Sequence, residues 1–243
     1  MNNPLIGILG HSHTGKYQPG FGQNSKYMQF ARQFGDVVII DPTCQTVLPL
    51  DLLILPGGKD VNPLNYTDIV DPSVTLIDYD YEMFYRNMYH NYLQRVVDGN
   101  MAMYGVCAGF QWLNVMHGGT LTQDYPFENS AWDKRWEEVD KLSAYMGNFP
   151  DDFDKTVVTH NWTTNSIHHQ GIFEHNLSNE FKVLAVNKPA KDYKNMTANI
   201  EFMIHKDLNI AGEQSHPEER FNPVVAIELI NTLIKRVKNN EEN

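Results

Sequence analysis

Short apolar runs alternate along the chain with longer stretches whose apolar positions recur at helical spacing. Residues 5–9 form a compact apolar run ending at Gly10, the pattern of a buried strand. Tyr27, Met28, Phe30, Ala31 and Phe34 follow at helical spacing, with Asn24 or Ser25 placed to cap that helix and Gly35 to stop it. A β-branched run at 37–40 closes on Asp41-Pro42, and a third apolar run at 51–55 is cut off by Pro56-Gly57-Gly58. The stretch 77–97 predicts a helix carried by Met83, Tyr85, Met88, Tyr92 and Val96. Residues 101–106 predict a strand, and 108–116 a helix that stops at Gly118-Gly119. Strand-like pieces recur at 156–159, 182–186, 199–204 and 208–212. Asn222-Pro223 opens a last helix with Ile227, Ile230, Leu233, Ile234 and Val237 on one face, and 238–243 reads as a polar, frayed tail. Between 120 and 153 the pattern is irregular, aromatic and acidic and supports no assignment.

Strands alternating with helices predict an α/β fold with a parallel sheet covered on both faces. With 243 residues and no repeat or linker, a single domain over 1–243 is expected, large enough to hold its core without disulfides. The charge balance, 19 Lys+Arg against 30 Asp+Glu, argues against nucleic acid or an anionic membrane as partner. Two cysteines, Cys44 and Cys107, make neither a disulfide framework nor a cysteine-rich zinc site. No apolar run reaches membrane-spanning length and the first residues lack signal-peptide character, so a cytoplasmic protein is expected.

The chemistry concentrates around Gly105-Val106-Cys107-Ala108-Gly109. An apolar strand runs into Gly-x-Cys-x-Gly and a helix pattern follows at once, which is the cysteine form of a nucleophile elbow. The turn strains the central residue, the helix N-terminus favours thiolate, and the N–H of Ala108 can face a developing oxyanion. Cys44, in a Pro-Thr-Cys-Gln loop, has none of this context.

A cysteine nucleophile needs a base, and the base needs a group to hold its ring. Of ten histidines, His216 stands out because His216-Pro217-Glu218 follows the strand-like piece at 208–212. Pro217 fixes the local chain, so Glu218 can accept from one ring nitrogen and leave the other for the sulfur. The Gly57-Gly58 turn after the third strand lets backbone N–H groups approach a ligand and is the natural second oxyanion donor. Lys59 beside it is either a solvated charge or a carboxylate contact.

His168 and His169 are adjacent on an extended segment and face opposite ways, with no acid or cysteine at ligand spacing; they read as structural or pocket-lining rather than metal-binding. His11 and His13 lie near the end of the first strand with no assigned role. Gly10-His11-Ser12-His13-Thr14-Gly15-Lys16 matches the start of a phosphate loop, but Tyr17 stands where a magnesium-holding Ser or Thr is required. It is treated as coincidental, with nucleotide binding kept as a rival that an ATP titration tests.

Five segments together resemble the class I glutamine amidotransferase superfamily, most nearly its gamma-glutamyl hydrolase branch. They are Pro56-Gly57-Gly58-Lys59-Asp60-Val61-Asn62-Pro63, Gly105-Val106-Cys107-Ala108-Gly109-Phe110-Gln111, Gly118-Gly119-Thr120-Leu121-x-Gln123-Asp124, Asn165-Ser166-x-His168-His169-Gln170 and His216-Pro217-Glu218. The resemblance implies a flavodoxin-like three-layer sandwich with a mostly parallel central sheet. It implies a Cys-His-Glu triad at Cys107, His216 and Glu218, and oxyanion donors at Gly57/Gly58 and Ala108. Gln111 would line the glutamyl site, and the motif holding His169 would support the pocket without metal. The family's usual Gly-Val-Gln-Trp-His-Pro-Glu reads here Gly212-Glu213-Gln214-Ser215-His216-Pro217-Glu218, which alters the packing expected beside the triad. Residues 125–164 have no evident counterpart.

The expected activity is hydrolysis of a gamma-glutamyl amide, of glutamine or a gamma-glutamyl amine, through a glutamyl thioester and without a cofactor. Two alternatives stand beside it. One is a glutaminase subunit supplying ammonia to a separate synthetase; the other is a catalytically silent binding protein on the same fold.

Overall fold

The computed structural model describes residues 3–10, 23–42, 44, 46–74, 77–124, 139–159, 162–165, 168–187, 198–220 and 223–241. The strands are β1 (Leu5–Leu9), β2 (Asp36–Ile40), β3 (Leu52–Leu55), β4 (Ala102–Val106), β5 (Val139–Ala144), β6 (Thr163–Asn165), β7 (Phe181–Asn187), β8 (Ile200–His205) and β9 (Ile210–Glu213). They form one sheet in the order β2-β1-β3-β4-β9-β8-β7-β5-β6. From β2 to β9 every neighbouring pair is parallel, and from β9 outward every pair is antiparallel. The helices are α1 (Gln23–Ala31), α2 (Tyr79–Val97), α3 (Ala108–Met116) and α4 (Val224–Glu241).

The two-residue period of the strands sorts the core into two layers. Ile6, Ile8, Leu52, Ile54, Ala102 and Tyr104 pack with Tyr27 and Phe30 of α1 and with Val225, Leu229, Leu233 and Val237 of α4. Leu9, Leu53, Leu55, Met101 and Met103 pack with Phe84, Tyr85, Tyr92 and Val96 of α2 and with Phe110 and Leu113 of α3. The result is the expected mostly parallel sheet between two layers of helix. β3, β4 and β9 lie side by side, so the chain leaving their carboxyl ends converges on one spot, where α/β sheets gather their ligands.

Close approach of α3 to this sheet depends on Gly109. A Cβ there would lie 2.0 Å from the Leu55 carbonyl oxygen, a backbone atom with no freedom to retreat. Gly109→Ala is therefore expected to destabilise the protein by about 3 kcal/mol, at the upper end for overpacking, read as a lower urea midpoint. The Gly-Gly stop after α3 has a similar origin. Buried Asn114 accepts from the Ser178 amide (2.8 Å) and donates to the carbonyls of Thr120 (2.8 Å) and Asn176 (3.1 Å), in space that a side chain at Gly119 would fill.

Several local expectations are corrected. α1 begins at Gln23, before either cap candidate, and ends at Ala31 in turns that lead to Gly35. The β-branched run at 156–159 is not a strand. Asp154 accepts from the Thr156 amide (2.9 Å) and closes a 3-10 turn over Lys155–Val157 instead. Strand β5 falls inside the stretch left unassigned. The 238–243 tail is helical through Glu241, because Lys238 pairs with Asp51 and Asn240 donates to the Gly99 carbonyl.

Candidate active site

β4 delivers the chain to Cys107, and α3 carries it away from the next residue. Cys107 has φ 51° and ψ −109°, the sole non-glycine residue with positive φ among those described. Such a conformation costs an L-residue about 1–3 kcal/mol and persists only where its surroundings impose it. Here they do. The Cys107 N–H donates to the Glu213 carbonyl of β9 (2.9 Å), and its own carbonyl accepts the first helical bond, from Gln111 (3.0 Å). The elbow expected from Gly-x-Cys-x-Gly is formed.

His216 follows β9, and its backbone is held by one side chain. Asn165, the last residue of β6, accepts from the His216 N–H (2.9 Å) and donates to the His216 carbonyl (3.2 Å). Pro217 then starts a 3-10 turn that brings Glu218 back beneath the ring, with Nδ1 of His216 2.7 Å from Glu218 Oε1. The same ring is hydrogen-bonded with the Cys107 side chain. Burial pushes the imidazole pKa down, but the charges of Glu218 and Cys107 outweigh it and hold the ring well above its ordinary value. The structure thus brings Cys107, His216 and Glu218 into one hydrogen-bonded line. Asn165→Ala would leave the buried His216 amide unpaired. The expected loss is about 1–3 kcal/mol of stability and roughly tenfold in turnover, with Asn165→Asp, which keeps the acceptor, falling between. Urea unfolding and steady-state kinetics on the two variants check this.

The Gly57-Gly58 loop closes over that line. A Cβ on Gly57 would stand 2.8 Å from His216 Cε1 and 3.2 Å from both Cys107 Cβ and the Tyr27 hydroxyl. Glycine is required here by space alone. One expectation needs correction: the Gly57 N–H is already engaged, donating to the Tyr27 hydroxyl (2.8 Å), whereas Gly58 lies exposed at the mouth. The loop is braced from the double-histidine motif. The Gln170 carboxamide accepts from the Val61 N–H (2.8 Å) and donates to the Val61 carbonyl (3.0 Å). Gln111, expected to line the glutamyl site, is buried, and its amide nitrogen donates to the Gln170 carbonyl (2.7 Å) and to Gln214 (3.1 Å). It joins α3 to the brace. His169 approaches Asp60 (3.0 Å), His168 is turned inward onto the Gln170 carbonyl (2.9 Å), and Lys59 faces Asp78 (3.8 Å).

Glu213 and Ser215, where apolar and aromatic residues were expected, are fully buried. Glu213 receives the Tyr104 hydroxyl (2.8 Å), the Ser215 hydroxyl and the Arg220 guanidinium (2.5 Å). The departure from the usual motif is a self-contained polar network directly behind the elbow. Sequence reasoning passed over four contributors: Tyr27, Asn165, Gln170 and Arg220. Tyr27 has the spacing of a helix core position, the two carboxamides stand in the sequence only as parts of a motif, and Arg220 carries no signal. His11, His13 and the phosphate-loop-like stretch from 11 to 17 lie outside the described residues.

A second histidine cluster joins His117, Glu180 and His205, with Tyr89 on His117 Nε2 (2.8 Å). It has the composition of a metal site but the wrong protonation. His205 Nδ1 accepts from the amides of Asp207 (3.0 Å) and Leu208 (2.9 Å), which places the proton on Nε2, the atom turned to Glu180. A metal would need that lone pair.

The Peptidase C26 family profile matches residues 4–218. The chain belongs to that family. In sequence it is similar to the glutamine amidotransferase-like protein YvdE of Lactococcus lactis subsp. lactis, 25% identical over 88% of this chain and 90% of its own, and to protein NtpR of Enterococcus hirae, 28% identical over 70% and 67%. In structure it is similar to a GMP synthase subunit protein from Thermoplasma acidophilum, with TM-score 0.60 and 18% identity over 100% and 98% of the two chains. The fold of this C26 chain is that of the class I glutamine amidotransferases, and its family is one of hydrolases and amidotransferases. Among the described residues no helix is long and apolar enough to cross a membrane.

Proposed function

We propose that this protein hydrolyses gamma-glutamyl amide bonds with Cys107 as nucleophile. The observation that carries the reading is a cysteine held at φ 51° at the head of a helix, hydrogen-bonded to a histidine that is itself held by a buried glutamate. Nothing about a merely structural cysteine calls for that strain. In the proposed cycle His216 takes the Cys107 proton and the thiolate attacks the gamma-carbonyl. The Ala108 and Gly58 amides meet the charge that collects on oxygen. His216 gives its proton to the leaving amine or ammonia, leaving a glutamyl thioester on Cys107. Water, deprotonated by the same ring, then releases glutamate. Glu218 orients the imidazole and stabilises the imidazolium. No step calls for a cofactor.

A second reading, a glutaminase subunit that passes ammonia to a separate synthetase, draws support from the likeness to a protein described as part of a synthase. Glutamate release by the purified protein alone separates the two. Turnover of at least one member of a panel of gamma-glutamyl amines supports the free-standing hydrolase. Labelling of Cys107 by a glutamine-analogue electrophile without turnover of any panel member supports the synthetase-dependent glutaminase, and absence of both refutes the cysteine chemistry altogether.

A further inference from the structure

We propose that Tyr27 is a positioning residue of this site, its hydroxyl linking the Gly57 amide to the Glu218 carboxylate so that one side chain sets both the oxyanion loop and the acid behind the base. The inference rests on the function proposed above and adds to it a residue from a helix that bears no part of the Cys-His-Glu line.

The geometry comes from three directions. Tyr27 on α1 is 1% exposed, and its hydroxyl accepts the Gly57 N–H at 2.8 Å. That bond uses a lone pair and leaves the hydroxyl hydrogen to be placed elsewhere. Glu218 supplies the place: its side chain is fully buried, Oε1 is taken by His216, and the Tyr27 hydroxyl acts on the carboxylate through a side-chain hydrogen bond, Oε2 having no other partner among the described residues. A buried carboxylate oxygen without a donor is costly, so a neighbouring hydroxyl with a free hydrogen is the group expected to meet it. Burial and the adjacent Glu218 charge both keep the Tyr27 phenol protonated, well above its ordinary pKa.

The chain of hydrogen bonds then runs from the Gly57 amide through Tyr27 to Glu218, and from Glu218 through His216 to Cys107. It ties the two flanks of the reacting centre together. α1 is fixed to the same turn a second time, by the ion pair of Lys26 with Glu219. Among the described residues, the titratable and charged groups facing this pocket are Cys107, His216 and Glu218, with Tyr85 of α2 facing Cys107 and donating to the Pro56 carbonyl. Glu213, paired with Arg220, acts on Glu218 from β9, and Lys26 and Glu219 close the outer side.

Removing the hydroxyl has two consequences. Gly57 loses the acceptor that holds its loop, and Glu218 keeps its full charge directed at His216, so the imidazolium persists to higher pH. Tyr27→Phe is expected to lower kcat about 10- to 100-fold with KM changed by less than about threefold, the signature of an interaction that acts in the transition state. The rate of Cys107 alkylation by iodoacetate, whose carboxylate is drawn by the imidazolium, is expected to fall at high pH as His216 loses its proton, and in Tyr27→Phe to fall about half a unit to one unit higher. Phe30→Leu loosens the same helix without touching the hydroxyl, and should lower the urea midpoint while leaving the pH profile in place. If Tyr27→Phe matches the wild-type profile and kcat within about twofold, or if Phe30→Leu moves the profile equally, the positioning role is overturned. If wild-type Cys107 does not alkylate at all, the proposed function fails first and the inference falls with it.

Discussion

Cys107→Ala is expected to lower glutamate release by about 10⁴-fold or more, into the background left by binding and oxyanion contacts, while the protein stays folded. The loss is large because the sulfur forms the covalent bond in both halves of the proposed cycle. The fold survives because the elbow is held from outside the side chain, by the Glu213 carbonyl on the Cys107 amide and by the first turn of α3. The strain at φ 51° makes a sharper version possible. Cys107→Gly is as inactive as Cys107→Ala, but glycine adopts positive φ freely, so its urea midpoint should exceed that of the alanine variant by the equivalent of about 1 kcal/mol. Equal midpoints would mean that the backbone at the elbow is relaxed and that the cysteine is not held for a purpose.

Arg220→Met is expected to give the largest loss of stability among single side-chain truncations near the site, about 3 kcal/mol at neutral pH. It removes the cation from Glu213, a carboxylate with no exposure, and leaves only the Tyr104 and Ser215 hydroxyls to stabilise it. Burial already holds the Glu213 carboxyl above its ordinary pKa, against the opposing pull of Arg220. The sign of the pH dependence follows. An acid whose folded pKa is raised binds its proton more tightly folded than unfolded, so stability falls as pH rises from the unfolded value through the folded one. Without Arg220 the folded value moves higher and the falling window widens. The deficit of Arg220→Met should therefore be small at about pH 5 and grow toward about pH 8, and Glu213→Gln in the same background should recover much of it. A deficit independent of pH would show that packing of the guanidinium stem, not the buried charge, is what was lost.

The proposed nucleophile, at the end of a strand, was legible because strand, glycine spacing and helix all lie within a few positions of Cys107. His216 and Glu218 were legible for a related reason: Pro217 makes their relation local. What escaped the sequence depends on partners far along the chain. Asn165 matters through the backbone of His216, and Gln170 through that of Val61, contacts that no periodicity reveals. Tyr27 has the helical spacing of a core residue and is one; its hydroxyl becomes significant only because α1 lies against Gly57. Glu213 read as a departure that disturbed the substrate's surroundings, whereas a distant Arg220 and Tyr104 make it an internal pair. Strand β5 was missed because its Asp140 and Lys141 break the apolar run of an antiparallel strand, the kind least marked by hydrophobicity.

The central claim is that Cys107 carries a glutamyl group during turnover. Intact-mass spectrometry of the protein, quenched in acid during reaction with a gamma-glutamyl amide that it turns over, tests this most directly. One added glutamyl group, located on Cys107 by peptide mapping and absent from Cys107→Ala, is the result expected. Sustained turnover by Cys107→Ala, or an adduct on any other residue, would contradict it.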